Sequence, residues 1–161
     1  VGGVRLNIQN KKKLAEAISE MKKSFRKITP PPTIDGFLIQ KMADEGVECF
    51  VGGRQDPVFG PLVIAGLGGI FLEIFKDTAI RLAPVTKSEA MDMLKNLRAY
   101  PLLQGARGKT KADIDALADI ICRVSQLLAD VPDIAEIDLN PVIVHEKGKD
   151  VSIVDSRVFI K

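Results

Sequence analysis

The sequence predicts an α+β fold in which helices pack on one face of a largely antiparallel β-sheet. Most of the predicted strands are neighbours along the chain and the predicted helices stand apart from them, which is the pattern of this fold class. Of the 161 residues, 46% are hydrophobic and 27% are charged, so the chain can bury a core. This length predicts one domain, or part of one.

Three helices are predicted, each from a capping residue followed by apolar residues at helical spacing. They cover approximately residues 11–27, 87–98 and 110–129. Asn10 is the predicted cap of the first helix. Thr86 and Glu89 have the spacing of a capping box, in which each side chain binds the backbone N–H of the other residue.

The predicted strands are short runs rich in apolar and β-branched residues. They cover Gly36–Met42, Val47–Val51, Pro61–Ala65, Ile70–Phe75, Arg81–Ala83 and a terminal hairpin of 134–145 with 151–160. Gly52–Pro61 is rich in Gly, Asp and Pro, which predicts a turn. The glycine cluster Gly66–Gly69 predicts a tight connection between two strands.

Polar side chains follow one face of the terminal hairpin. Because strand residues alternate faces, Glu136, Asp138 and Asn140 share one side of its first strand. A two-residue loop at Lys147-Gly148 would pair Asn140 with Asp155, and a four-residue loop would keep both on the same face. One amide oxygen and one carboxylate suit Mg²⁺, which proteins hold with few side chains plus phosphates.

Composition also excludes several classes of protein. The net charge of +2 is too small to indicate a nucleic-acid partner. No apolar run reaches the roughly 18 residues that span a bilayer and no signal peptide is visible, so no membrane partner and a cytoplasmic location are expected. Cys49 and Cys122 are far apart and are predicted to be core thiols. His145 is the only histidine, which argues against a His-rich zinc site or a Ser-His-Asp triad.

Eight ordered segments together have the pattern of one family. They are Gly36–Met42, Gly46–Glu48, Asp56–Pro61, Gly66–Gly69, Arg81–Pro84, Gly105–Gly108, Glu136–Pro141 and Asp155–Arg157. The chain resembles the ATP-grasp domain of the ADP-forming (NDP-forming) acyl-CoA synthetases, which is related to the β subunit of succinyl-CoA synthetase. The resemblance implies that residues 1–161 are a partial ATP-grasp domain, namely its C-terminal, second subdomain.

The resemblance also implies a chemistry. The expected parent enzyme is a ligase that interconverts acyl-CoA, ADP and phosphate with free acid, CoA and ATP, through an acyl phosphate and a phosphohistidine. ATP or ADP and Mg²⁺ are the expected cofactors. The expected partners are the first ATP-grasp subdomain and the CoA-binding and phosphohistidine domains or subunit, with a small-molecule acid and CoA as substrates.

Positions matched to the family predict a nucleotide-binding region. Gln40-Lys41-Met42-Ala43 falls on the hinge that frames the nucleotide base and sugar, and Glu48 lies nearby. For Glu48, the solvent-exposed face of an edge strand is an alternative interpretation.

The same matching predicts the residues around the phosphates. Asn140 and Asp155 would hold Mg²⁺, and Asp138 would face the travelling phosphate group. Arg54 and Arg107 are further predicted anion contacts, because each lies in a glycine-rich segment and a guanidinium binds phosphate well.

Two other interpretations remain at this point. One is a regulatory module, the ATP-grasp-like part of a protein acetyltransferase fusion, which would sense a nucleotide or acyl-CoA without turnover. The other is a carboxylate–amine ligase, which shares the ATP-grasp frame but does not match the segment Asp56–Pro61. A flanking acetyltransferase domain in the parent gene would favour the first.

Overall fold

The computed structural model describes residues 2–69, 76–108 and 110–161. Its helices are α1 (Lys11–Phe25), α2 (Lys87–Lys95), α3 (Tyr100–Leu103) and α4 (Ile114–Asp130), with a 3₁₀ turn at Ala106–Gly108. Its strands are β1 (Val47–Asp56), β2 (Gly60–Leu67), β3 (Thr78–Leu82), β4 (Ile134–Val144), β5 (Val151–Ile153) and β6 (Ser156–Ile160). The strand predicted at 70–75 lies outside the described residues.

The chain divides into two compact units, residues 1–42 and 43–161. The first unit contains α1, whose predicted cap is confirmed by a 2.9 Å hydrogen bond from the backbone N–H of Lys13 to Asn10 Oδ1. The strand predicted at Gly36–Met42 is wrong, because these residues have no regular secondary structure. An isolated strand is not stable unless its apolar side chains are covered by other parts of the protein. In the described residues the side chains of Leu38 and Ile39 are 84% and 65% exposed, so they are not covered in this way.

The second unit is built on an antiparallel sheet, so the predicted fold class is confirmed. The strand order is β3-β2-β1-β4-β5, and β6 also pairs with β4. Side chains of α4, including Leu117, Ile121 and Leu128, pack with Val51 of β1 and Val63 of β2 in one buried core. This hydrophobic contact holds the helices on one face of the sheet.

The other face of the sheet carries the candidate site, and we call it the open face. Cys49 and Val51 point into the core, so Glu48 and Arg54 project from the open face, since strand side chains alternate. Burial raises the pKa of Cys49 to about 12, with a further contribution from the charge of Glu48. This thiol therefore stays protonated, as expected for a core cysteine.

The predicted turn at Gly52–Pro61 is too long, because β1 continues through Asp56. A Cβ atom at Gly53 would overlap the Leu62 carbonyl oxygen and the Leu128 side chain, so this glycine permits close packing inside the sheet. The turn itself lies between Asp56 and Gly60.

The predicted capping box before α2 is confirmed: Glu89 Oε2 accepts from Thr86 N at 2.7 Å, and Thr86 Oγ1 accepts from Glu89 N at 3.3 Å. The predicted start of α4 is four residues early, because Asp113 caps the helix, accepting from Ala116 N at 3.3 Å. Within the described residues, no helix combines the length and hydropathy needed to cross a bilayer.

Candidate functional site

Asn140 and Asp155 lie directly opposite each other. The pairs Val142–Ile153 on one side and Leu139–Ser156 on the other place them in the same register. The backbone N–H of Asn140 donates a 3.1 Å hydrogen bond to the carbonyl oxygen of Asp155. The register predicted with the two-residue loop is therefore confirmed.

A β-bulge in β4 lies at this point. Between the pairs Cys49–Val142 and Val51–Leu139, β1 has one residue, Phe50, whereas β4 has two, Asn140 and Pro141. Leu139 and Val142 consequently both face the core, at 7% and 0% exposure, and Asn140 between them is exposed. Bulges of this kind redirect a side chain without ending the strand.

Charged residues surround the pair on the open face. Asp138, which is half-buried, lies opposite Gly52 of β1 and Arg157 of β6. The guanidinium Nη2 of Arg157 is 3.7 Å from Asp155 Oδ2, and the two side chains are 68% and 55% exposed. The predicted phosphate-facing acid, Asp138, thus lies two residue pairs away from the predicted metal ligands.

Arg54 occupies a different setting from the predicted one. It lies inside β1, opposite Glu136 of β4, and not within a turn. Its Nη2 atom is 3.6 Å from Asp56 Oδ2. The pKa of Asp56 is lowered by hydrogen bonds from the backbone N–H groups of Phe59 and Val58, and then by the charge of Arg54. The role of Arg54 in anion binding stays a prediction.

The other predicted arginine is Arg107, in the 3₁₀ turn Ala106–Gly108 that follows α3. Its side chain lies outside the part of the chain that the structure describes. Its predicted anion contact therefore stays a prediction.

Glu48 lies on an internal strand, because β1 pairs with β2 on one side and β4 on the other. The alternative interpretation, an edge strand, is therefore wrong, although the side chain is exposed. The backbone N–H of Gly68 donates to the Glu48 carbonyl oxygen at 2.8 Å. A Cβ atom placed on Gly69 would lie 3.8 Å from Glu48 Oε2, so the carboxylate is close to this glycine pair.

The predicted hinge, Gln40-Lys41-Met42-Ala43, contains the boundary between the two compact units, which falls after Met42. These four residues have no regular secondary structure and are exposed. Their proposed contact with a nucleotide base stays a prediction.

The donor atoms at Asn140 and Asp155 fit a magnesium ion. Both residues offer oxygen, which hard cations prefer, and Asp155 Oδ1 also accepts from the backbone N–H of Ser156 at 2.9 Å. Across the described ranges, no group of three or more His, Cys, Asp or Glu residues could hold a metal ion by itself. The arrangement suits a cation whose remaining ligands are phosphates and water.

Asp113 is a buried structural residue that was not among the predicted site residues. It is 8% exposed, and Oδ2 accepts from the backbone N–H groups of Gly148 at 2.8 Å and Asp150 at 3.0 Å. Burial raises the pKa of Asp113, but hydrogen bonds from Asp150, Ala116 and Gly148 outweigh it and hold the pKa below its ordinary value. An Asp before an apolar helical pattern signals a cap, but not this contact with the hairpin turn.

His145 is buried directly after β4. Its Nδ1 atom lies 3.2 Å from the Glu45 carbonyl oxygen, and Nε2 lies 2.7 Å from Ser152 Oγ. Both ring nitrogens are therefore used to join the segment before β1 to the hairpin.

Comparisons with known proteins agree with this geometry. The model of the ATP-grasp domain family matches residues 1–160, and the chain belongs to that family. It is 44% identical to acetate–CoA ligase [ADP-forming] I of Archaeoglobus fulgidus and 44% identical to the β subunit of acetate–CoA ligase [ADP-forming] I of Pyrococcus furiosus. These matches cover 99% of this chain but 23% of the first relative and 68% of the second.

Solved structures show the same fold. The dinucleotide-forming acetyl-coenzyme A synthetase 1 of Ca. Korarchaeum cryptofilum, in complex with coenzyme A, Ca-AMPCP and HgCl+, has a TM-score of 0.89 and 38% identity, covering 100% of this chain and 69% of that chain. Its Se-Met derivative in complex with coenzyme A and Mg-AMPPCP has a TM-score of 0.83 and 36% identity, covering 99% of this chain and 68% of that chain. The family resemblance inferred from the eight segments is thus confirmed.

Proposed function

We propose that this chain is the nucleotide- and Mg²⁺-binding part of an ADP-forming acyl-CoA synthetase. Such a ligase interconverts acyl-CoA, ADP and phosphate with a free acid, CoA and ATP. The observation that carries the proposal is the placement of Asn140 opposite Asp155 on the open face of an ATP-grasp sheet. The names of relatives at 44% identity support the reaction class.

The open face supplies the residues that would bind the phosphates. Asn140 and Asp155 hold the metal through side-chain oxygens, and Asp138 borders the path of the transferred group. When bound, Mg²⁺ supplies positive charge that offsets the charge developing on the transferred phosphoryl group. Arg54 on the same face would contribute further positive charge toward anionic oxygens. Arg107, in the 3₁₀ turn after α3, would do the same from outside this face's strands.

The nucleotide base would lie near the other proposed residues. Gln40, Lys41, Met42 and Ala43 present backbone groups to the base edge, and Glu48 reaches the sugar or the base. One observation supports the role of Glu48: its carboxylate lies exposed beside Gly69.

The remainder of the enzyme would come from other domains or subunits. This chain corresponds to the second ATP-grasp subdomain. The first subdomain and the phosphohistidine and CoA-binding domains complete the reaction with a small-molecule acid. The support is that the chain matches only 23% of the Archaeoglobus relative and 68% of the Pyrococcus β subunit.

The test compares the natural full-length protein with the isolated 161-residue chain. The full-length protein is expected to form acyl-CoA from acid, CoA and MgATP, with release of ADP and phosphate. The isolated chain is expected to bind MgADP weakly in a calorimetric titration and to form no acyl-CoA. Nucleotide binding by the full-length protein without any acyl-CoA, across a panel of short-chain and aromatic acids, would contradict the proposal.

A further inference from the structure

Arg157 stands out on the open face because no role in the proposed reaction has been given to it. It lies in β6 directly opposite Asp138 of β4, and it shares a face with Asp155, two residues earlier. Its Nη2 atom is 3.7 Å from Asp155 Oδ2. A cationic side chain is thus poised between the two acids that the proposed function assigns to the metal and the phosphate.

The contact between Arg157 and Asp155 is not a strong structural link. Its 3.7 Å separation exceeds the usual length of a charge-assisted hydrogen bond, and the side chains are 68% and 55% exposed. An ion pair of this kind is screened by water and contributes little to stability. Little free energy is therefore needed to break the ion pair between Arg157 and Asp155 when another cation competes for the carboxylate.

The charges nearby explain why an arginine suits this position. Glu136 and Asp138 of β4, with Asp155 directly before β6, bring three carboxylates to one face of the sheet. Arg54, the cation opposite Glu136, is already 3.6 Å from Asp56 at the end of β1. Arg157 is the cation placed to offset the charge of Asp155, and its planar fork matches a phosphate group.

We propose that Arg157 binds a phosphate group of the nucleotide and serves as the counterion of Asp155 while the metal is absent. When the metal–nucleotide complex arrives, the carboxylate turns to the metal and the guanidinium turns to a phosphate oxygen. The proposal rests on the proposed function, because it requires Asp155 to be a metal ligand. It adds a phosphate-binding residue and an exchange of partners within the site.

The exchange predicts opposite effects of one substitution on two ligands. Arg157→Gln removes the competing cation, so Mn²⁺ alone, used as a spectroscopic probe, is expected to bind about two- to fivefold more tightly. The same substitution removes a charged hydrogen bond to phosphate, so MgADP is expected to bind about tenfold more weakly. Electron paramagnetic resonance of free Mn²⁺ measures the first effect, and calorimetry measures the second, both on the natural full-length protein.

Three further variants separate the possible causes. Arg123→Gln removes an exposed arginine from α4 and is expected to change neither affinity. Arg157→Lys keeps the charge without the planar fork and is expected to recover part of the MgADP affinity. Asp155→Asn is expected to weaken Mn²⁺ binding whether or not Arg157 has the proposed role.

The outcomes are distinguishable. If Asp155→Asn weakens Mn²⁺ binding but Arg157→Gln changes neither affinity, the role of Arg157 is wrong and the metal site stands. If Arg157→Gln weakens the binding of both Mn²⁺ and MgADP and also lowers the thermal midpoint, the residue is only structural and the proposal is overturned. If the unmodified full-length protein binds neither Mn²⁺ nor MgADP, the proposed function itself fails.

Discussion

Asp113 accepts a 2.8 Å hydrogen bond from the backbone N–H of Gly148, which lies 35 positions later in the chain. The same carboxylate accepts from Asp150 and from Ala116, in the first turn of α4. One buried acid therefore joins the start of a helix to the turn between β4 and β5. That turn determines which residues of the hairpin face each other, including Asn140 and Asp155.

The first prediction concerns this link. Asp113→Ala leaves several backbone N–H groups without their acceptor, so the free energy of unfolding is expected to fall by about 1–3 kcal/mol. Chemical denaturation of the full-length protein measures the change. Asp115→Ala is the matched control, because this neighbouring acid is exposed on the same helix. Equal losses for the two variants would contradict the structural role of Asp113.

The second prediction concerns pH. Although burial raises the pKa of Asp113, the hydrogen bonds from Asp150, Ala116 and Gly148 lower it below the ordinary value. The stabilisation is therefore fully present above the unfolded-state pKa of about 3.9, and it is lost as pH falls through the lower folded-state value. The stability difference between the unmodified protein and Asp113→Asn should shrink as pH falls below about 4. A difference that stays constant down to strongly acidic pH would argue against an ionised Asp113.

The third prediction concerns the metal ligands. Asp155→Asn removes a formal charge from the proposed metal site, so turnover should fall by at least about 100-fold, and the thermal midpoint should change little because the side chain is exposed. Asn140→Asp adds a charge and is expected to bind metal more tightly while slowing phosphate release. Steady-state assays at several Mg²⁺ and Mn²⁺ concentrations provide the measurement. Unmodified activity and an unchanged metal requirement in Asp155→Asn would exclude this site.

The fourth prediction concerns Glu48. Glu48→Ala should weaken nucleotide binding by about tenfold, the value of one hydrogen bond to a charged group, with an almost unchanged thermal midpoint. Calorimetry with MgADP and a thermal melt of the full-length protein make the comparison. Glu16→Ala, which removes an exposed acid from α1, serves as the control. A large loss of stability with normal nucleotide affinity would show that Glu48 is structural.

The fifth prediction concerns packing inside the sheet. Gly53→Ala places a methyl group against the Leu62 carbonyl oxygen and the Leu128 side chain, so the unfolding free energy should fall by about 1–3 kcal/mol or more. At Gly36, an added Cβ meets no atom within 4 Å, so Gly36→Ala is the matched control and should be nearly neutral. Chemical denaturation measures both variants, and equal stabilities would contradict the packing described.

Local chemistry made part of the fold predictable. The cap at Asn10 and the box of Thr86 with Glu89 depend on neighbouring residues, which the sequence displays directly. The hairpin register was also predictable, since Gly148 marks the turn and strand parity decides which residues share a face. The placement of Asn140 opposite Asp155 follows from these local facts.

Other features depend on contacts between distant residues. Glycines at 52 and 53 have the composition of a turn, but β4 requires the small size of Gly52 within the strand, and β2 and α4 require that of Gly53. The apolar run in Gly36–Met42 has the composition of a strand, yet composition alone does not provide a partner strand. The hydrogen bond between Asp113 and Gly148 appears only when the chain is folded.

The bulge at Asn140 and Pro141 has a consequence for how the sequence can vary. Directly before the bulge, Ile137 and Leu139 face the core, and after it Val142 and Val144 do, so two residues stand where regular alternation needs one. Deleting Pro141 would leave a single residue between Leu139 and Val142, and the residues on both sides would keep facing the core. The core of β4 therefore does not depend on the bulge, whereas the setting of Asn140 does. We expect deletion of Pro141 to leave this core in place and to change how Asn140 is presented beside Asp155.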